Sequence, residues 1–478
     1  MKRLWKVIPP CLSDVLGFEA VLNETEGFGI IDDPSRYKPI RMGQGGNPQG
    51  GRGGRGGRPE GHGLGPDGGR PFATRAERET HGPGGFDRAA AMRSVRVMNS
   101  DIRNEDIITG TENKVMQTFE RGMEQYVPNF VLLCCAPSAS MINSDLEYAA
   151  EKITKQSGLP AAEVKIDGDK DYLYGIGTTL ETLGRILLTP QETIPGTVNL
   201  LGANTIDWTA ETVASVDEMI ADAGWRVISH WGTKETTENL KKAAAAQVNV
   251  VVSEAGLKLA RFMESEFGIP FLAGAPFGRK NAEKLTAELN KYKNAEFYAK
   301  NGENQAWDEE QEVPDTWPDL SAKNTAAFRE SGQSGAAVNA TACATASAET
   351  SATPEILIVG EQFIANAVRE SLLAQGQSNI RVLSFYDMDR AYMLPGDKKL
   401  TGEDDFAAQA NADSVRMIIA DLDCRPLVRG EVQYIGFPDG GSFSPVNPTE
   451  NFNMTGALLD QWLNERISDG GNTKGIYV

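Results

Sequence analysis

Short apolar runs of strand length alternate with amphipathic stretches of helix length. This pattern predicts an α/β chain of three doubly wound parallel-sheet units. Three observations carry the prediction. The apolar runs are nearly continuous in Val, Ile and Leu, as strands covered on both faces must be. Helical stretches stop on glycines, Gly158 and Gly268 among them. The alternation also starts afresh at 197 and again at 355.

Taken in order, IPPCLSDVLGFEAVL (8–22) predicts a helix opening at Ser13 or Asp14, and IIDDPSRY (30–37) ends a strand in a Pro-stiffened turn. NFVLLCC (129–135) reads as a strand, SDLEYAAEKITKQSG (144–158) as a helix, AAEVKID (161–167) as a strand and TTLETLGRILL (178–188) as a helix. The second unit runs from strand TVNLLGA (197–203) through helix 215–224, strand 225–231, helix 236–246, strand 247–254 and helix 256–268 to strand IPFLAG (269–274). The third comprises strand EILIVGE (355–361), helix 363–376, and strands 380–386, 414–423 and 432–438. The boundaries expected are 1–195, 196–289 and 354–478, with 290–353 an irregular connector and low-complexity linker.

Residues 43–70 hold 14 glycines and one sizeable apolar side chain, Leu64. Such a stretch cannot bury enough surface to offset its ordering entropy, so 43–90 reads as a flexible Gly/Arg-rich insertion. Its GRGGRGGR core is similar to RNA-touching segments. The whole chain argues otherwise: 47 Lys and Arg against 66 Asp and Glu give a net charge of −19, which repels phosphate backbones. A nucleic-acid role is therefore not expected. No apolar run approaches the ~18 residues of a membrane span, and the N-terminal MKRLWKVIPP lacks the apolar core of a signal peptide. Five cysteines, an odd number with Cys134 and Cys135 adjacent, suit a reducing compartment rather than a disulfide framework. The expectation is a soluble, cytoplasmic protein.

The usual catalytic signatures are missing. There is no GxxxxGK[ST] loop, no HExxH and no GxSxG, and the three histidines are His62, His81 and His230. ATP hydrolysis by this chain and a His-based triad are not expected. The cysteines are better placed: Cys134 and Cys135 end an apolar strand, where open α/β sheets bind ligands, and Cys11 precedes a helix N-terminus, which favours a thiolate. Plain burial as core thiols is the competing reading for each, including Cys424. Asp32 and Asp33 stand at a strand end as either ligands or turn formers. Asp167, Asp169 and Asp171 alternate as in a calcium loop but lack its Gly and Glu.

Several segments, in order, resemble component 1 of the nitrogenase superfamily. They are PPCLSDVLGFEAVLNETEGFGIIDDPSR, ENKVMQTFERGMEQYVPNFVLLCCAPSASMINSDLE, KDYLYGIGTTLETLGRILL, VNLLGANTIDWTAETVASVDEMIADAGWRVISHWG and QVNVVVSEAGLKLARFMESEFGIPFLAG. The resemblance implies three Rossmann-like domains and a thiolate-bound iron–sulfur cluster, 4Fe-4S or larger, shared with a partner subunit. It assigns Cys11 and Cys135 as ligands, with Cys134 an alternative to the latter. Where a third Cys is expected stands Tyr37, so Asp32, Asp33 or Tyr37 would substitute, or the cluster is smaller or missing. The catalytic subunit's cofactor Cys falls at Ser253, and GFPDGGSF (436–443) lacks the cofactor His. The resemblance thus implies a β-type subunit that relays electrons from a homodimeric, ATP-dependent iron protein to an α-like partner and binds no nucleotide itself. A cluster-assembly scaffold and a cluster-free binding or regulatory protein are the alternatives.

Overall fold

The computed structural model describes Ile8 and residues 11–33, 96–137, 144–166, 168–293, 355–441 and 453–468. The Gly/Arg-rich stretch 43–90, Tyr37, His62, His81, Asp167, Cys343, the linker 336–354 and nearly all of 290–353 lie outside them.

In the first unit come α1 (Asp14–Asn23), β1 (Phe28–Asp32), β2 (Val97–Asn99), α2 (Asn104–Thr109), α3 (Glu112–Gln125), β3 (Val131–Cys135), α4 (Leu146–Ser157), β4 (Ala161–Glu163) and α5 (Tyr172–Leu187). The second holds β5 (Ile194–Leu201), α6 (Ala210–Asp222), β6 (Arg226–Trp231), α7 (Thr237–Lys241), β7 (Ala246–Val251), α8 (Leu257–Phe267), β8 (Phe271–Ala273) and α9 (Arg279–Lys291). The third has β9 (Glu355–Val359), α10 (Gln362–Ala374), β10 (Ile380–Ser384), β11 (Lys398–Lys399), α11 (Glu403–Ala410), β12 (Val415–Ala420), β13 (Gln433–Gly436) and α12 (Ala457–Ser468). Among the described residues three sheets form, ordered β2-β1-β3-β4, β6-β5-β7-β8 and β11-β10-β9-β12-β13. Every strand pairing is parallel, as the continuous apolar runs predict.

The structure refines several elements. The helix expected at 178 opens earlier, because the Asp171 carboxylate accepts the Tyr174 N–H and caps α5. Asp171 is thus a helix cap rather than a calcium ligand. β4 stops at Glu163, where the chain turns so that Ile166 N–H reaches Val164 O. The stretch 236–246 divides into the short α7 and a tight 3-10 turn, Lys242–Ala245. Helix α9 has no counterpart in the sequence reading, since it buries only Leu285 and Leu289 on a narrow stripe.

One apolar core joins the inner faces of all three units, from Leu12 and Leu132 through Val250 and Leu259 to Ile356 and Ile419. The outer faces of the first and third sheets have their own clusters. At one crossing the helices almost touch: a Cβ on Gly175 would lie 2.0 Å from Asp14 O, and one on Gly17 2.3 Å from Tyr172 O. Only glycine at both positions lets α1 and α5 approach so closely. That approach fixes Cys11 beside the start of α5.

Candidate functional site

Two places gather polar side chains at the carboxyl ends of strands, where open α/β sheets bind ligands. The first lies at the end of β1 and β3. These strands pair in register, with Ile31 opposite Cys134 and Asp32 opposite Cys135. Alternation along β3 sends Cys134 into the shared core and Cys135 toward α3 and α4. Burial, then the charges of Cys135, Glu19, Asp14 and Asp32, hold the Cys134 thiol well above its ordinary pKa. Asp32 is fully buried. Its Oδ1 accepts the Ser100 hydroxyl at 2.6 Å, and Ser100 Oγ accepts the Asp33 N–H at 3.1 Å. The other Asp32 oxygen, Oδ2, is buried with no hydrogen-bond donor.

The second place is a crevice where the three units meet. Here the carboxylates of Glu361, Asp171, Asp421, Asp439 and Asp207 accept hydrogen bonds. Glu361 accepts the Glu254 and Ile364 N–H groups at 3.0 and 2.8 Å. Asp171 accepts the N–H of Asp387 as well as that of Tyr174. Asp421 takes the N–H groups of Asp423 and Asp439. Tyr386 donates to Asp439 at 2.7 Å, and Tyr172 to both oxygens of Asp207 at 2.9 Å. The two tyrosine rings meet edge to face at 5.3 Å. Gly440 and Gly441 press into this junction, since Cβ atoms there would fall 2.2 Å from Ile206 O and from the Tyr172 ring.

Low polarity and crowding of like charge raise these acids. Burial, with Asp171 and Glu361 nearby and Lys258 opposing, pushes Glu254 up to about 8. Burial brings Glu361 to about 7 against the N–H groups that it accepts. Burial and Asp207 bring Asp439 to about 7.

Cys11 belongs to this crevice. Burial, then the charges of Asp439 and Asp171, push its thiol up to about 12, with Tyr386 hydrogen bonding in opposition. The other strand-end thiol, Cys424, is buried and raised by burial and by Asp421. Ser253, where the cofactor Cys of an α-type subunit is expected, is fully buried and donates to Gly202 O at 2.6 Å.

Asp32, Cys134 and Cys135 are therefore brought together, while Cys11 is set among side chains of the third unit. Among the described residues no three His, Cys, Asp or Glu side chains come together to hold a metal ion. The orphaned Asp32 oxygen beside Cys135 nevertheless suits a cationic iron site, one oxygen and one sulfur donor on adjoining strands. In the crevice, Cys11 faces the carboxylates of Asp439 and Asp171. The sequence reading missed Glu254, Glu361, Asp387 and Asp439. Their signal is an acid within three residues of a strand's end: VVSE, IVGE, SFYD and GFPD.

Residues 72–370 match the family model of nitrogenase component 1 type oxidoreductases, well over half of the chain. The chain belongs to that family, a family of oxidoreductases. Among curated relatives, the nitrogenase molybdenum-iron protein alpha chain of Methanosarcina barkeri is 22% identical over 205 residues, 42% of this chain and 37% of that one. One of the subunits of light-independent protochlorophyllide reductase from Prosthecochloris aestuarii is 26% identical over 211 residues, 40% of this chain and 37% of that one. The nitrogenase iron-molybdenum cofactor biosynthesis protein NifE of Methanosarcina barkeri is 24% identical over 194 residues, covering 38% and 41%. The chain thus spans about two fifths of the length of these relatives. The solved structure "Nitrogenase Cp1 at pH 6.5" superposes with a TM-score of 0.59 at 10% identity, covering all of this chain and 96% of that one. It shares the fold. Among the described residues no helix is long and apolar enough to cross a membrane.

Proposed function

We propose that this chain is the β-type subunit of a cytoplasmic nitrogenase-like reductase, built of domains 1–195, 196–289 and 354–478. An α-like subunit carries the catalytic centre, and a homodimeric ATP-dependent iron protein supplies low-potential electrons. The observation that carries this reading is the Asp32–Cys135 pair with its unsatisfied Oδ2. A shared iron–sulfur cluster, when bound there, supplies one-electron transfer at low potential. This chain's part is to hold it: Cys135 as thiolate, Asp32 in place of the third thiolate, and Ser100 fixing the carboxylate through Oδ1. Cys11, Cys134, Asp33 and Tyr37 are the further candidate ligands. The β-type assignment gains support from Ser253, whose hydroxyl is committed to Gly202 O.

The test is iron and acid-labile sulfide per chain after anaerobic co-purification with the adjacent α-like subunit. Both should fall by more than half in Cys135→Ala and in Asp32→Ala. A complex that keeps all its iron in these variants and in Cys11→Ala would overturn the reading and favour a cluster-free binding protein. Similarity to NifE and the Tyr37 position favour a second reading, a cluster-assembly scaffold. In that case the iron would leave the chain for an acceptor apoprotein.

A further inference from the structure

Away from both strand-end sites, a cavity of about 700 Å³ including its mouth opens at the carboxyl end of β8, between α9, α10 and the 3-10 turn Arg390–Tyr392. Its walls are fixed before any ligand arrives. Asn281 Nδ2 on α9 donates to Ala367 O on α10 at 3.1 Å. Asn366 Nδ2 on α10 donates to Tyr392 O at 3.0 Å. The rings of Phe363 and Tyr392 stand 5.0 Å apart, and Leu285 closes the opposite side. Beside Gly274 the space is open: a Cβ there would meet nothing within 4 Å.

One charged group in this wall is incompletely satisfied. Arg369 is 4% exposed. Its Nη1 donates to both oxygens of Asp397 at 2.7 Å, and its Nη2 to Asn366 Oδ1 at 2.5 Å. Its Nε has no acceptor. Asp397 cannot turn to serve it, because its oxygens also take the Val382 and Leu394 N–H groups at 2.9 and 2.7 Å. A buried N–H of a charged guanidinium is costly to leave unpaired. Lys284 on α9 and Glu370 on α10 both line the cavity, and Glu370 lies 3.8 Å from Lys280.

We propose that this cavity binds a small monocarboxylate with an aromatic or branched apolar body. The carboxylate would accept from Arg369 Nε and face Lys284, and the body would lie against Phe363, Tyr392 and Leu285. This site is independent of the reductase reading and of any cluster.

The probe is phenylacetate, titrated into the purified full chain by calorimetry, with benzylamine and benzyl alcohol as controls of like shape. Phenylacetate should bind and the two controls should bind at least tenfold more weakly. Lys284→Gln should weaken phenylacetate about tenfold, the effect of losing one charge-assisted contact. Ala367→Leu, which fills the cavity, should abolish binding with the circular dichroism and Tm retained. Binding of benzylamine or benzyl alcohol as tight as that of phenylacetate would overturn the proposal. So would no binding by the wild type, or unchanged binding in Ala367→Leu.

Discussion

The two strand-end sites are made of the same residue types, acids and thiols, and differ in how their lone pairs are occupied. In the crevice, Glu361, Asp171, Asp421, Asp439 and Asp207 accept N–H or tyrosine O–H groups supplied by the chain itself. Those bonds tie three units together, and the site is closed on its own terms. At the end of β1, Asp32 has one oxygen served by Ser100 and one left over. Carboxylates that bind their own protein act as staples, whereas one with a spare buried oxygen is available to a cation. Acidity alone would not have separated the two.

The largest expected effect tests the staple. Gly175→Ala puts a methyl 2.0 Å from Asp14 O, forces α1 from α5 and should cost about 3 kcal/mol in urea unfolding. A loss below about 1 kcal/mol would mean that the crossing is soft. Next comes Tyr386→Phe, which takes a donor from the buried Asp439 carboxylate and should cost about 2 kcal/mol. An unchanged midpoint would break the idea that the crevice is held by its own donors.

The pH dependence ranks third. Glu254 rises from 4.5 to about 8 on folding. A raised pKa gives stability that is complete below the unfolded value and is lost as pH climbs through the folded one. His230 behaves the same way. Burial alone would lower it, but Asp217 and Glu235 hold the imidazolium and raise it from 6.5 to about 9. Glu254 therefore predicts a Tm that falls between about pH 4.5 and about pH 8, and His230 one that falls between about pH 6.5 and about pH 9, with Glu254→Gln flattening the lower part of the slope. A Tm rising over these windows would contradict both. The smallest effect sharpens the contrast: Asp32→Asn keeps the Ser100 bond and should shift stability by less than about 1 kcal/mol while lowering iron content.

Fold class was legible because strands buried on both faces must be continuously apolar, so VLLCC, VNVVV and EILIV announce themselves. Helix α9 was not legible, because two buried leucines make too faint a stripe. At the candidate site, Asp32, Cys134 and Cys135 could be picked out from strand-end position alone. The company of Cys11 could not: Asp171 lies 160 residues away in sequence and Asp439 further still, and only the three-unit packing brings them near. Acids after apolar runs were visible one by one. Their convergence was a property of the fold.

A last consequence concerns how the chain is threaded through the first sheet. β1 ends at Asp32, β2 starts at Val97, and the two lie side by side with Gly29 opposite Val97. Both ends of the intervening sequence are thus pinned by strand pairing, whatever its length. Closing a loop costs only about 0.6 kcal/mol more for each doubling of its length. By that cost alone, the length of the span between these strands weighs little on closure of the sheet. The chain leaves the sheet just after Asp33, at the same end of β1 as the unsatisfied carboxylate.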